Sequence, residues 1–322
     1  MSVQNITVQP GDAGIRLDRW FRRHYPALTQ GALQKMLRSG QIRVDGAKVE
    51  ASARLESGQD VRVPPMPMTP APIRPRVSDE DIAFMESLVL YRDASVIVLN
   101  KPHGLPVQGG PGIIRHVDGL LDALAADDQR PKLVHRLDKD TSGVLVLGRT
   151  PAAAAALANA FRGRDAKKTY WAVVVGQPQH PGGRISLPLK REGGPRGERT
   201  VVAQPADKAG QFAITDYDML EVAKRRVALL EMRPLTGRTH QLRVHAAEAL
   251  KCPILGDGKY GGEDAHLEEL PHELHLHARA LTIPHPEGGV LEVAAGLPPH
   301  MVETFRFFDF PNPTPPKPRW RR

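Results

Sequence analysis

The chain has 322 residues, 41% hydrophobic and 25% charged, the balance of a water-facing folded protein of about two domains. No run approaches the ~20 apolar residues of a membrane helix. A single cysteine, Cys252, excludes an internal disulfide and an all-cysteine metal site. Lys and Arg total 44 against 36 Asp and Glu, and the resulting +8 points to a polyanionic partner.

The surplus sits at the ends. Residues 14–63 hold ten Lys/Arg and five Asp/Glu, and residues 301–322 hold five and two, while the stretch between is close to neutral. The first ten residues lack the basic-then-apolar pattern of a secretory signal, so a cytoplasmic location is expected. Ile15, Leu17, Trp20 and Phe21 outline an apolar helical face, with Arg16, Arg19, Arg22 and Arg23 on the other positions. Thr29 is placed to cap a second helix, in which Leu33, Met36 and Leu37 recur at i, i+3, i+4 and Lys35 and Arg38 fall off the stripe. Gly40 ends it. Ile42 and Val44 alternate with Arg43, Asp45-Gly46 turns the chain, and Val49 is expected to resume a strand. Residues 64–76 carry six prolines, an extended spacer that places a linker at 64–81.

The body is expected over 82–300. Residues 88–91 and 95–99 read as strands, followed by a polar turn, Asn100-Lys101-Pro102. Residues 133–147 read Leu-Val-His-Arg-Leu-Asp-Lys-Asp-Thr-Ser-Gly-Val-Leu-Val-Leu: a dense polar knot between two apolar runs, hence a charged loop on two buried strands. Thr150-Pro151 starts an alanine-rich helix. Residues 168–175 and 227–232 read as strands, 190–199 as a charged glycine-rich loop, and 238–250 as a helix that puts His240 and Arg243 on one face. His275 and His277 alternate on a strand, but no cysteine or carboxylate completes a ligand set, so no metal is expected. Residues 301–322 read as a basic, proline-rich, disordered tail.

Residues 135–143, His-Arg-Leu-Asp-Lys-Asp-Thr-Ser-Gly, resemble the active-site signature of the RluA-type RNA pseudouridine synthases. Lys168-Thr169-Tyr170 and residues 235–245 resemble that family's second and third motifs, in the expected order. Residues 14–18 and 39–46 resemble the S4 RNA-binding domain, and the whole arrangement is most similar to the RluC type, which acts on large-subunit rRNA. The resemblance implies an α+β fold: a mixed, mostly antiparallel sheet flanked by helices, after a small N-terminal α/β S4 domain. It implies a cofactor-free isomerase that converts uridine to pseudouridine by detaching, rotating and rejoining a flipped base. Asp138 is then the catalytic aspartate, Arg243 its guanidinium partner, and Tyr170 the ring that stacks on uracil or moves a proton. His135, Arg136, Thr141, Lys168, Arg238 and His240 are candidate substrate contacts. Arg16, Arg19, Lys35, Arg38 and Arg43 are candidate RNA contacts of the S4 module. Attack at C1′, attack at C6 and elimination to a glycal all stay open. The expected partner is 23S rRNA and the expected state a monomer. The rival readings are a tRNA-directed synthase and a non-catalytic S4-type RNA-binding or ribosome-assembly factor.

Overall fold

The computed structural model describes residues 3–25, 28–65, 77–110, 112–126, 129–193, 198–204, 207 and 209–321. The chain divides into two compact units, Met1–Arg76 and Val77–Arg322. Most of the expected linker, residues 66–76, lies outside the described residues.

The first unit contains β1 (Gln4–Thr7), α1 (Leu17–His24), α2 (Gln30–Arg38), β2 (Arg43–Val44) and β3 (Asp60–Val63). Leu17, Trp20 and Phe21 of α1 and Leu33 and Leu37 of α2 meet Ile42, Val44 and Val61 in one core. Each such burial contributes roughly 1.5–3 kcal/mol. Thr29 caps α2 by accepting the Ala32 amide at 3.3 Å. The sheet order is β1-β3-β2, all antiparallel, so the unit starts ten residues earlier than the helices alone suggest. No strand resumes at Val49. Instead Ala51 and Ala53 turn their carbonyls to the first amides of α1, at 2.9 Å from Asp18 and 2.8 Å from Leu17. The segment serves the unpaired donors of a helix start rather than a ladder.

The second unit runs α3 (Asp79–Ser87), β4 (Val89–Arg92), β5 (Val96–Lys101), α4 (Val117–Leu120), β6 (Lys132–Leu133), β7 (Ser142–Gly148), α5 (Pro151–Gly163), β8 (Lys167–Val175), β9 (Gly182–Glu192), β10 (Arg199–Val202), β11 (Gln211–Ala223) and β12 (Val227–Pro234). It ends with α6 (Gln241–Val244), β13 (Leu276–Pro284), β14 (Val290–Ala294), α7 (Pro299–Phe307) and β15 (Arg319–Arg321). One sheet of 12 strands has the order β10-β9-β11-β12-β8-β13-β7-β5-β4, with β14 on β13, β15 on β14 and β6 on β7. Every pairing is antiparallel except β13 with β7. The α+β expectation therefore holds. Strand β7 is buried along its whole length, as its unbroken apolar run requires. Val144 and Val146 enter a core with Val96, Leu157 and Ile283; Leu145 and Leu147 face the opposite core with Ile97 and Leu121.

Three further expectations need correction. The loop expected at 190–199 is shorter than that span, since β9 runs to Glu192 and β10 begins at Arg199; residues 194–197 lie outside the described residues. The tail from 301 is ordered: α7 buries Met301 and Phe305 against Trp171, and Phe310 joins them. Beyond its prolines the chain returns as β15 on β14, where Trp320 lies against His285 and donates to the Gly288 carbonyl at 3.0 Å. Proline excludes a helix there but not an edge strand. The helix expected from 238 starts only at Gln241, for reasons that belong to the site.

Candidate active site

Strands β6 and β7 pair at Lys132↔Gly148 and Leu133↔Leu147, so the polar knot is the loop of a hairpin whose second strand is buried throughout while the first is exposed at Lys132 and half-buried at Leu133. Its inward positions hold it still. His135 accepts the Val146 amide on Nε2 at 2.8 Å and stacks on Phe161 with centroids 4.1 Å apart. Burial drives its pKa down to about 3, so the ring is neutral and that acceptor is available. Leu137 enters the core. The Thr141 amide donates to the Asp138 carbonyl at 3.2 Å. From β5, the fully buried Lys101 donates to the carbonyls of Pro102, Leu105 and Lys139, each at 2.9 Å. Burial lowers its pKa to about 7, against the pull of Asp140 and Asp138. Three acceptors match the three donors of an ammonium group, so the cradle fits the charged form. With these residues turned inward, Arg136 is exposed and Asp138 half-buried.

Gly143 closes the loop. It pairs in parallel with Ala278 of β13, and Ala278 pairs on its other side with Tyr170 of β8. One residue thus separates the signature loop from Tyr170, about two strand spacings or ~10 Å. Gly143 sits at φ +107, and a Cβ there would collide with the Ala278 carbonyl oxygen. Burial, and secondarily the Asp138 charge, push the Tyr170 phenol above its ordinary pKa.

The third motif is built differently. After β12, Gln241 is buried and saturates its amide: it accepts from Thr236 Oγ1 (2.7 Å) and the Arg238 amide (3.0 Å), and donates to the Ile214 carbonyl and Thr215 Oγ1 (both 2.9 Å). This network holds residues 236–240 as a tight turn, with His240 at φ +53 just before α6. The chain then widens into a π turn over residues 245–249. Arg243 does not pair with Asp138. Its fork closes on the fully buried Asp257, Nε to Oδ2 at 2.8 Å and Nη2 to Oδ1 at 2.7 Å. Burial acts to lower the Arg243 pKa, but the Asp257 hydrogen bond and charge, helped by Asp138, hold it above its ordinary value. The group facing Asp138 is His240, Nε2 to Oδ2 at 3.8 Å.

A cavity of about 530 Å³ opens where these mounts meet. His135, Arg136, Asp138, Thr141, Lys168, Tyr170, Arg238, His240 and Arg243 all line it. Burial, with the nearby Arg164, lowers the Lys168 pKa. Asp138, His240 and Arg243 also border a second cavity of about 580 Å³, walled by His103, Lys259 and Glu273. In the first unit, Arg16 is tied to Asp18 (2.7 Å) and Arg43 to the Gly46 carbonyl (2.9 Å), whereas Arg19, Lys35 and Arg38 are exposed with no ion pair among the described residues. Sequence reasoning left five residues without a role: Lys101, Arg191, Gln241, Asp257 and Tyr260. Arg191 lines the cavity and donates to Thr239 Oγ1 at 2.7 Å. Nothing in its local pattern announces that. His275 and His277 are buried with their ring nitrogens on Thr304, Ser142 and backbone carbonyls.

Residues 95–248 match the family described as RNA pseudouridylate synthase, a span that contains Asp138, Tyr170 and Arg243. The chain is 37% identical over 254 residues to the ribosomal large subunit pseudouridine synthase C of Rickettsia bellii, covering 77% of this chain and 83% of that one. The chain belongs to the RluA-type RNA pseudouridine synthases. The Rickettsia felis protein of the same name is 34% identical over 299 residues, 90% of this chain and 95% of that one. RNA pseudouridine synthase 4, mitochondrial, of Arabidopsis thaliana is 40% identical over 294 residues, but this chain spans only 61% of its length. Among solved structures, human RNA pseudouridylate synthase domain containing 4 superposes with a TM-score of 0.60 at 30% identity, over 71% of this chain and 97% of that one. This pseudouridine synthase is thus an RNA isomerase, and no helix among its described residues is long and apolar enough to cross a membrane.

Proposed function

We propose that the substrate is 23S rRNA and that Asp138 is the reacting carboxylate. The single observation that carries the second part is the convergence of Asp138, Tyr170 and Arg243 on one cavity, from three separate elements. Isomerisation breaks C1′–N1 and forms C1′–C5; a proton leaves C5 and N1 gains one. An ionised carboxylate serves the first event. Tyr170, its phenol kept protonated by burial, stacks on the detached base and relays the C5 proton, giving up its own proton as it takes that one. Arg243, fixed by Asp257, keeps a positive field over the carboxylate, while the exposed Arg136 takes a phosphate or fills the gap left by the flipped base. The choice of rRNA rests on the name of relatives aligned over as much as 90% of this chain. The first unit acts as the S4-type RNA-binding module through Arg19, Lys35 and Arg38, with phosphates as targets. The enzyme works as a cytoplasmic monomer.

The test is a pseudouridine map of rRNA and tRNA from cells with and without the gene. Loss of discrete 23S sites is the expected result. Loss confined to tRNA overturns the substrate, and 23S sites that survive the deletion do so too; 23S sites retained in an Asp138→Asn strain but lost in the deletion overturn the role of Asp138.

A further inference from the structure

We infer that Tyr260 is a positioning residue, which fixes His240 in the tautomer that presents an N–H to Asp138. The inference rests on Asp138 being the reacting carboxylate. It follows from counting protons at a buried hydroxyl. The Tyr260 oxygen lies 3.2 Å from the Thr200 amide and 2.7 Å from His240 Nδ1. The amide has only a proton to give, so the phenolic oxygen accepts there. Its own proton then needs an acceptor, and His240 Nδ1 lies closest in line at 2.7 Å, while the Thr200 hydroxyl also hydrogen-bonds the phenol. If Nδ1 carried hydrogen, the phenolic oxygen would accept twice and its own proton would have to turn from this 2.7 Å contact to the Thr200 hydroxyl. With the Thr200 amide and hydroxyl both donating to the phenolic oxygen, Tyr260 gives its proton to Nδ1 across the shortest contact. The ring hydrogen is then on Nε2, the atom 3.8 Å from Asp138 Oδ2.

Two further features agree. His240 is held at φ +53, a left-handed conformation unusual for a side-chain-bearing residue, and its imidazole is aimed between Tyr260 and Asp138. The guanidinium groups of Arg199 and Arg243 each lie 5.0 Å from the Tyr260 ring centre, which strengthens the phenol as a donor. Asp138, Arg243, Lys259 and Asp257 surround the imidazole, and burial, the largest influence, keeps it neutral. Arg243 is committed to Asp257. A neutral N–H from His240 is therefore what remains to orient the Asp138 carboxylate without quenching it in a full ion pair. The contact is long in the free enzyme and closes when RNA excludes water.

The full chain, labelled with ¹⁵N-histidine, reports the tautomer directly by long-range ¹H–¹⁵N correlation, with His240→Gln giving the assignment. The expected ring is Nε2–H, shifting toward Nδ1–H in Tyr260→Phe. Tyr260→Phe should lower kcat about ten- to a hundredfold with KM within about twofold. His240→Gln, whose amide reaches the Nε2 position, should keep more kcat than His240→Asn, whose amide reaches only Nδ1. An Nδ1–H ring in the unaltered protein, or unchanged kcat and tautomer in Tyr260→Phe, overturns the inference. The tautomer is read without turnover, so an active Asp138→Asn enzyme would instead count against the reading beneath it.

Discussion

Two mounts carry the site, and they are built on opposite principles. The loop bearing Asp138 is held by apolar strands and by backbone contacts: β7 is buried throughout, Gly143 lies against β13, and Lys101 clamps the Lys139 carbonyl. The turn bearing His240 and Arg243 is held by buried polar side chains: Gln241, Asp257 and Tyr260. The first mount resists through packing, where the loss scales with volume and area. The second resists through satisfied hydrogen bonds, where removing one partner strands another. A rigid carboxylate thus faces a wall whose charge is fixed by a separate network.

Substitutions can break each mount in its own way. The largest effect is expected at Gly143→Ala, where a Cβ meets backbone and φ is +107. The loss should be about 4 kcal/mol or more, read as a fall in the denaturant midpoint with the slope unchanged. A loss below about 1 kcal/mol would contradict the close β7–β13 approach. Next comes Asp257→Ala, which leaves the Arg243 charge buried and alone; about 3 kcal/mol should be lost. The double change Arg243→Met with Asp257→Leu should recover most of that stability and none of the turnover, which separates the network's structural role from its chemical one. If activity returned with stability, the field of Arg243 would not matter.

Counted per residue, the smallest effect is titration. His135, His275 and His277 are held neutral by burial, with pKa values near 3, and His245 near 4. In the unfolded chain each takes a proton near pH 6.5. Between those values the unfolded state binds more protons, so this contribution is complete above pH 6.5 and is lost progressively as pH falls. Thermal midpoints measured at pH 7, 6 and 5 should decline steadily. A flat profile would mean that these rings are not buried neutral.

The difference between the mounts also explains what the sequence made legible. The Asp138 loop is local: Leu133 pairs with Leu147, so a window of fifteen residues announces the buried strand β7 and the polar loop before it, although the long partner of β7 is β5. The sheet's parallel join at β13 is not visible there, because Ala278 lies more than a hundred residues from Gly143. The third motif's residues were legible as chemistry but not as geometry. Helical spacing placed His240 and Arg243 on one helix face, yet Gln241 draws the chain into a turn through partners on β11 and leaves His240 ahead of the helix. Arg243 and Asp138 carry opposite charges, but a nearer carboxylate, Asp257, takes the fork. Nothing within its stretch, Gly256-Asp257-Gly258-Lys259-Tyr260-Gly261, announces that role, since its partners come from distant elements. The tail failed for a different reason: composition describes what a segment cannot pack by itself, and Met301, Phe305 and Phe310 pack against Trp171 from elsewhere.

The central claim is that turnover passes through Asp138. The most direct measurement is tritium release from 5-[³H]uridine-labelled 23S rRNA by Asp138→Asn, beside the unaltered protein, with thermal midpoint and RNA affinity measured on both. The account predicts an intact fold, RNA affinity within about twofold, and release reduced by about 10³-fold or more. Release at an undiminished rate from a folded, RNA-bound Asp138→Asn protein would contradict it.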